Sequence, residues 1–284
     1  MIIKPASLAN DFIKLQGVGF DKKGLSTGFS SLDPHLKLAK GYLAVLGAVP
    51  GMGKSEYVDG LLVNMSLLHG WRTLFFSPEN HPTENHMMKI AEKYIGKKMN
   101  SFTKKDIDQS LEYLDKYFTW MYPEKPTLES LLTIAKQQAA EGLIDCLILD
   151  PWNNIAHSRS TGMLHEYLGE ALREVIKFCR DFNIFTMIVT HPTKLGVDRD
   201  GRTLPVDMYS LSDGAMWRNK ADYGIIINRP DMSKNQMEVS IQKIKNKWMG
   251  KLGAVMLDYD FQTGRFKCTH EDSFLLPTEI ESAF

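Results

Sequence analysis

Residues 48–55 read AVPGMGKS, with glycines, a lysine and a hydroxyl at the spacing of a phosphate-binding loop and Ala48 where a glycine usually stands. Each residue type answers a chemical need. Glycines at 51 and 53 let the backbone turn its N–H groups toward phosphate oxygens. Lys54 reaches the β and γ oxygens as a point charge, and the Ser55 hydroxyl can ligate magnesium. Ala48, Val49, Pro50, Gly51, Met52, Gly53, Lys54 and Ser55 are therefore assigned to the nucleotide. A glycine-rich turn without that role would not require the apolar run before it and the helical pattern after it, both of which this sequence supplies.

Three further polar residues follow apolar runs. Asp150 closes LIDCLIL (143–149) and would share the magnesium with Ser55 at the carboxyl edge of a sheet. By itself such an aspartate is commonly the start of a turn. In SPEN (77–80), Glu79 can orient and deprotonate an attacking water, or it can serve as a helix-start acid favoured by the macrodipole. His191, in VTHPTK, either senses the γ-phosphate or simply closes its strand.

These groups need elements to place them. Apolar runs at 42–47, 72–77, 118–122, 143–149 and 184–190 read as strands, and patterns at 54–69, 84–96, 104–117, 127–140 and 164–182 read as helices. Four more strand-like runs, near 223–229, 237–244, 253–259 and 265–269, follow without intervening helices. Residues 192–214 read as one long irregular loop. The expected fold is α/β, a mostly parallel twisted sheet flanked by helices with antiparallel carboxyl-terminal strands. From Ser7 a short helix is expected, capped by Ser7, with Leu8, Phe12 and Leu15 on one stripe.

A chain of 284 residues suits one large core with short appendages. Equal counts of 34 basic and 34 acidic residues give no global field toward nucleic acid, so any such contact must be local. The three cysteines stand far apart in apolar stretches, which argues for packing rather than zinc or disulfides. No apolar run approaches the roughly 18 residues of a membrane span, and the first residues lack a signal or transit pattern. A cytoplasmic protein is expected.

The motifs together resemble the RecA-like P-loop motor of Twinkle and phage primase-helicases, and more distantly DnaB-type replicative helicases. They run in family order: TGFSSLDPHL, AVPGMGKS, SPEN, LILDPWN, VTHPTK, SDGAMWRNKAD and KIKNKWMGKLG, across about residues 25–270. The resemblance implies a homohexameric ring that hydrolyses ATP, or another NTP or dNTP, with magnesium at subunit interfaces while moving along single-stranded DNA. It makes Lys54, Glu79 and His191 catalytic. Arg229 and Tyr259 match positions that stack on the base. The family's KxR motif reads Lys245, Asn246, Lys247, so Lys245 lies beside the nucleotide and Lys247 stands where an arginine reaches into the neighbour's site.

Lys243, Lys245, Lys247 and Lys251 would share one strand face, serving either the neighbour's triphosphate or a solvated edge. DNA contacts are expected from Asn153, Asn154, His157 and Arg159 in one loop and from Lys194, Arg199 and Arg202 in another. The boundaries are read as a linker (1–24), the motor (25–270) and an acidic tail (271–284) for a partner such as a polymerase, primase or single-strand-binding protein. The chain is either a stand-alone motor or a piece of a primase-helicase. A RecA/RadA-like recombinase and a KaiC-like scaffolding ATPase are the rival readings.

Overall fold

The computed structural model describes residues 3–19, 24–156, 164–192, 206–211 and 214–268. Helix α1 (Ala9–Val18) is followed by β1 (Leu43–Ala48), α2 (Lys54–His69), β2 (Thr73–Phe76), α3 (Thr83–Ile95), α4 (Lys104–Tyr117), β3 (Phe118–Trp120) and α5 (Leu128–Ala140). Then come β4 (Cys146–Leu149), α6 (Leu164–Phe182), β5 (Phe185–Thr190), α7 (Gly214–Lys220), β6 (Tyr223–Asn228), β7 (Gln236–Ile244), β8 (Gly253–Asp260) and β9 (Arg265–Cys268). The strands form one sheet in the order β3-β2-β4-β5-β1-β6-β7-β8-β9. It is parallel from β3 to β6 and antiparallel from β6 to β9, as expected.

Every residue of β1 is buried, as a central strand covered on both faces requires. Side-chain alternation divides them: Ala44, Leu46 and Ala48 join the core beneath α2, α3 and α4, while Leu43 and Val45 join the one beneath α5, α6 and α7. Parallel register then brings the carboxyl ends of the inner strands level. Phe76 pairs with Leu149, Leu149 with Ile188, and Gly47 with Thr190, so the residues just beyond them share one edge.

One element was not anticipated and two expectations need correction. Between the stretch read as loop and β6 stands a helix, α7, in residues for which no element was expected. Seven residues are too few for a periodic signal; the element is held by Trp217, which is buried edge-on against Trp152 at 5.3 Å between centroids. Ser7 does not cap α1. Its hydroxyl donates to the Lys4 carbonyl at 2.8 Å inside a 3₁₀ turn, and Leu8 occupies the cap position. The four lysines do not share a face, because β7 ends at Ile244 and Lys247 opens a separate 3₁₀ turn.

At the opposite edge of the sheet, Asp145 gathers the strand entries. Its carboxylate accepts from the Arg72 backbone N–H at 3.0 Å and Arg72 Nε at 2.9 Å, and it pairs with Lys40. Burial pushes this carboxyl up, but the Arg72 and Lys40 bonds outweigh burial and hold it below the usual range. A depressed folded-state value means that the stabilisation is complete above the unfolded value of roughly 4 and is lost as pH falls through the folded value. Asp145→Asn is expected to cost about 1 kcal/mol at neutral pH, since Lys40 and Arg72 are partly solvated. Urea denaturation should show the gap from wild type closing under acid; an unchanged gap at pH ~3 would contradict the linkage.

Candidate nucleotide site

The loop between β1 and α2 turns on two glycines in left-handed backbone, Gly51 at φ 81° and Gly53 at φ 84°. A side chain at either position would be strained, whereas glycine adopts the turn freely. Helix α2 starts at Lys54, so its first N–H groups, which have no partner within a helix, face the space above the loop. Lys54 is buried, and its ammonium lies 3.2 Å from Glu79 Oε2 and 3.4 Å from Asp150 Oδ1. Three sequence-predicted residues, from α2 and from the ends of β2 and β4, thus meet at one point. Asp150 is buried and Glu79 exposed. Burial raises the Asp150 carboxyl, and Lys54 only partly offsets this while Glu79 and Asp59 add to it.

His191 meets the loop from the other side. Its Nδ1 stands 3.0 Å from the Ala48 carbonyl, which can only accept, so Nδ1 carries the hydrogen and Nε2 remains open to a ligand. Among the described residues no group of three His, Cys, Asp or Glu side chains could hold a metal alone. One buried carboxylate, Asp150, and the half-buried Ser55 hydroxyl form the sparse protein set that suits magnesium when phosphate oxygens complete its shell.

A cavity of about 270 Å³ opens beside the loop, bounded by Met52, Gly53, Glu56, Arg229, Met237 and Tyr259. Arg229 and Tyr259 therefore border the same space. The Arg229 guanidinium is fixed by donating to the Lys234 carbonyl at 2.7 Å. Tyr259 donates to Glu56 at 3.0 Å, and Glu56 also pairs with the buried Lys93. Burial would raise the Glu56 carboxyl, but Lys93, Lys89 and Tyr259 outweigh it and hold it low. Sequence reasoning passed over Glu56, whose role depends on partners remote in sequence; its place in the first turn of α2 was the one local signal.

Other expected residues fall elsewhere. Lys245 pairs with the buried Asp222 at 2.8 Å, and Lys243 donates to the Asn219 carbonyl at 3.1 Å. Lys247 is exposed and pairs with no acid among the described residues. Asn153 and Asn154 stand exposed on a 3₁₀ turn just after Asp150. His157, Arg159, Lys194, Arg199, Arg202 and the acidic segment 271–284 lie outside the described residues.

A family model described as the DnaB-like helicase C terminal domain matches residues 24–268. The chain is 28% identical over 264 residues to the Twinkle homolog protein, chloroplastic/mitochondrial, of Arabidopsis thaliana, with 86% of this chain and 36% of that protein covered. It is 23% identical over 261 residues to a "Probable plasmid replicative DNA helicase" of Chlamydia psittaci, with 87% and 56% covered. The chain thus spans about a third and just over half of these two curated relatives. Among solved structures, one described as an ATPase domain superposes with a TM-score of 0.74 at 16% identity, covering 93% of this chain and 98% of that one. A DnaB-like replicative helicase, described with its interactions with primase, gives 0.70 at 16% identity, with 94% and 67% covered. These two likenesses bear out the expected fold.

The geometry separates binding from chemistry. Lys54→Ala is expected to abolish nucleotide binding. Glu79→Gln should leave nucleotide bound while hydrolysis falls by ~10²- to 10⁴-fold. Equilibrium binding of a fluorescent nucleotide beside a phosphate-release assay checks both, and equal loss of binding in the two variants would remove Glu79 from the chemistry.

Proposed function

The chain belongs to the family of DnaB-like helicase C-terminal domains, and on that premise we propose that it is the motor of a ring-shaped replicative DNA helicase driven by ATP or another NTP or dNTP. The observation that carries this reading is the meeting of Lys54, Glu79 and Asp150 above a glycine-turned phosphate loop. Neither a recombinase nor a scaffolding ATPase is favoured by the family match.

In this reading a γ-phosphate takes over the Lys54 charge and frees Glu79 to accept the proton of the attacking water. Ser55 and Asp150 would hold magnesium, which when bound supplies positive charge to the phosphate oxygens. His191, joined by its Nδ1–H to the loop's first carbonyl, presents Nε2 as the γ-phosphate sensor and passes its state to the chain behind it. The base stacks between Arg229 and Tyr259 in the cavity beside Met52. Single-stranded DNA follows the exposed Asn153 and Asn154, with His157, Arg159, Lys194, Arg199 and Arg202 completing the path as phosphate contacts. The acidic tail suits docking to a basic surface on a polymerase, primase or single-strand-binding protein, and a cytoplasmic location is part of the same reading.

Two features support assembly with copies of the same chain. None of residues 9–17 is buried, and Leu8, Phe12 and Ile13 are exposed, Phe12 by 75%. A short helix with an uncovered apolar stripe has little to hold it unless it packs on something else. An apolar groove between α3 and α4, lined by Met87, Met99, Ile107 and Leu111, offers such a surface, and we place the α1 of a neighbouring copy there. Lys243 and Lys245 are already engaged, whereas Lys247, at the position matching the family's arginine, is exposed with no acid partner among the described residues and is placed to reach a neighbour's γ-phosphate.

Deleting residues 1–18 should lower the assembled mass at low protein concentration; unchanged assembly would make α1 local packing only. ATPase rate with and without single-stranded DNA, with mass measured on the same sample, tests the function. Wild type should assemble and be stimulated by DNA. Lys247→Ala should bind nucleotide yet lose the stimulated hydrolysis, since a γ-phosphate contact in trans can contribute ~10³- to 10⁵-fold. Normal turnover of the assembled variant would exclude Lys247 from that role.

A further inference from the structure

Between the phosphate loop and the outer edge of the sheet runs a chain of three polar side chains, Asp59 and His86 buried and Trp120 half-buried. Asp59 lies on α2 one helical turn beyond Ser55. Its Oδ1 is 2.9 Å from His86 Nε2, on the first turns of α3, and His86 Nδ1 receives the Trp120 indole N–H at 3.0 Å from β3. Asp59 and His86 are each 1% exposed.

The hydrogens in this chain are assigned by chemistry. An indole N–H can only donate, so His86 Nδ1 carries a lone pair, and Nε2 carries the hydrogen and donates to Asp59. The second Asp59 oxygen has no hydrogen-bond partner among the described residues, so the bond from His86 is the one hydrogen bond the carboxylate side chain receives from them. The imidazole also meets Phe75 edge-on at 4.8 Å, and Trp120 stacks on the same ring at 5.6 Å. Phe75 stands on β2 just before the turn that carries Glu79.

Burying a carboxylate and an imidazole in an apolar layer costs free energy that a methionine or leucine would avoid. What the polar set adds is direction. Residues 77–82 bridge β2 and α3, so the position of Glu79 depends on where each element is held. Packing on Phe75 holds the β2 side, and the His86 bond to Asp59 ties α3 to the helix that begins with Lys54 and Ser55. The turn adds a brace of its own, Asn80 Nδ2 donating to Ser77 Oγ at 2.8 Å. We propose that Asp59, His86 and Trp120 are positioning residues that set the distance from Glu79 to the phosphate site. Asp59 also adds charge near Asp150, but the tie to His86 and Trp120 acts through the placement of α3 against α2. The proposal rests on the hydrolytic reading of the site.

The test compares His86→Met, which keeps bulk and removes both bonds, with His86→Gln, whose amide oxygen can accept from the indole and whose amide nitrogen can donate to Asp59. Single-turnover hydrolysis and nucleotide affinity are measured on the full chain with Mg·ATP, alongside wild type and Lys54→Ala. A displacement of Glu79 on the ångström scale lowers the rate by on the order of 10²-fold, so His86→Met should lose turnover by about that factor with affinity unchanged, and His86→Gln should recover most of it. In wild type, ¹⁵N spectra should show His86 as the Nε2–H tautomer.

Full turnover in His86→Met, a glutamine variant no better than methionine, or affinity falling in step with rate overturns the proposal. Should His86→Met fail to fold, Trp120→Phe decides: it keeps the ring stack and removes the N–H, and must lose rate at unchanged affinity. Wild type lacking Lys54-dependent hydrolysis overturns the hydrolytic reading and this proposal together, whereas normal wild-type turnover beside an unaffected His86→Met overturns this proposal alone.

Discussion

One buried ammonium governs the charge balance of the site. Lys54 is within 3.4 Å of both Asp150 and Glu79, and Asp59 adds a third acid near enough to raise the Asp150 carboxyl further. Carboxylates gathered around a buried one repel it, and a cation among them offsets that cost only when it stands in contact. The three elements bearing these groups must therefore approach closely. A polyanionic ligand entering with its own divalent cation changes the charge count on both sides, which is how such a site can exchange internal partners for external ones without exposing an unpaired charge.

Sheet order makes that approach possible. β1 lies between β5 and β6, and β4 stands between β5 and β2, so the loops after β1, β5, β4 and β2 follow one another along a single edge although their residues are distant in sequence. The antiparallel strands then extend the sheet on the side of β6. They bring Tyr259 and Met237 to the flank of the phosphate loop, where the Met237 side chain approaches Gly53 closely. A parallel half thus positions Lys54, Glu79, Asp150 and His191, and an antiparallel half walls the adjoining cavity.

Much of this was legible in the amino-acid sequence because the signals were local. The boundaries of α2, α4 and α6 follow from apolar periodicity and end signals, and the meeting of Lys54, Glu79 and Asp150 beside a glycine-turned loop follows from motif spacing. Reading failed where tertiary contacts decide. Trp217 makes a helix of a stretch with too few turns to be periodic, and Asp222 draws Lys245 into its own unit. The end of β7 cannot be read from lysine spacing at all, since alternation holds only while the strand lasts. Asp59, His86 and Trp120 left no pattern either, because three separate elements contribute one residue each.

Arg265, on the last strand, is almost wholly buried and donates to the carbonyls of Lys93 at 2.7 Å and Tyr94 at 2.8 Å, the final turn of α3. Its guanidinium fills the space that a side chain at Gly96 would need. With Asp59 fastened near one end of α3 and Arg265 closing the other, that helix has a fixed length. Evolutionary insertions or deletions of whole helical turns would be penalised there, since the carbonyls would lose their donor and the amino end its partner. The connection that follows is tied to the same helix and to the next one, Glu92 accepting from Lys98 Nζ at 2.9 Å and the Met99 backbone N–H at 3.0 Å while Lys97 pairs with Asp106 at 2.7 Å.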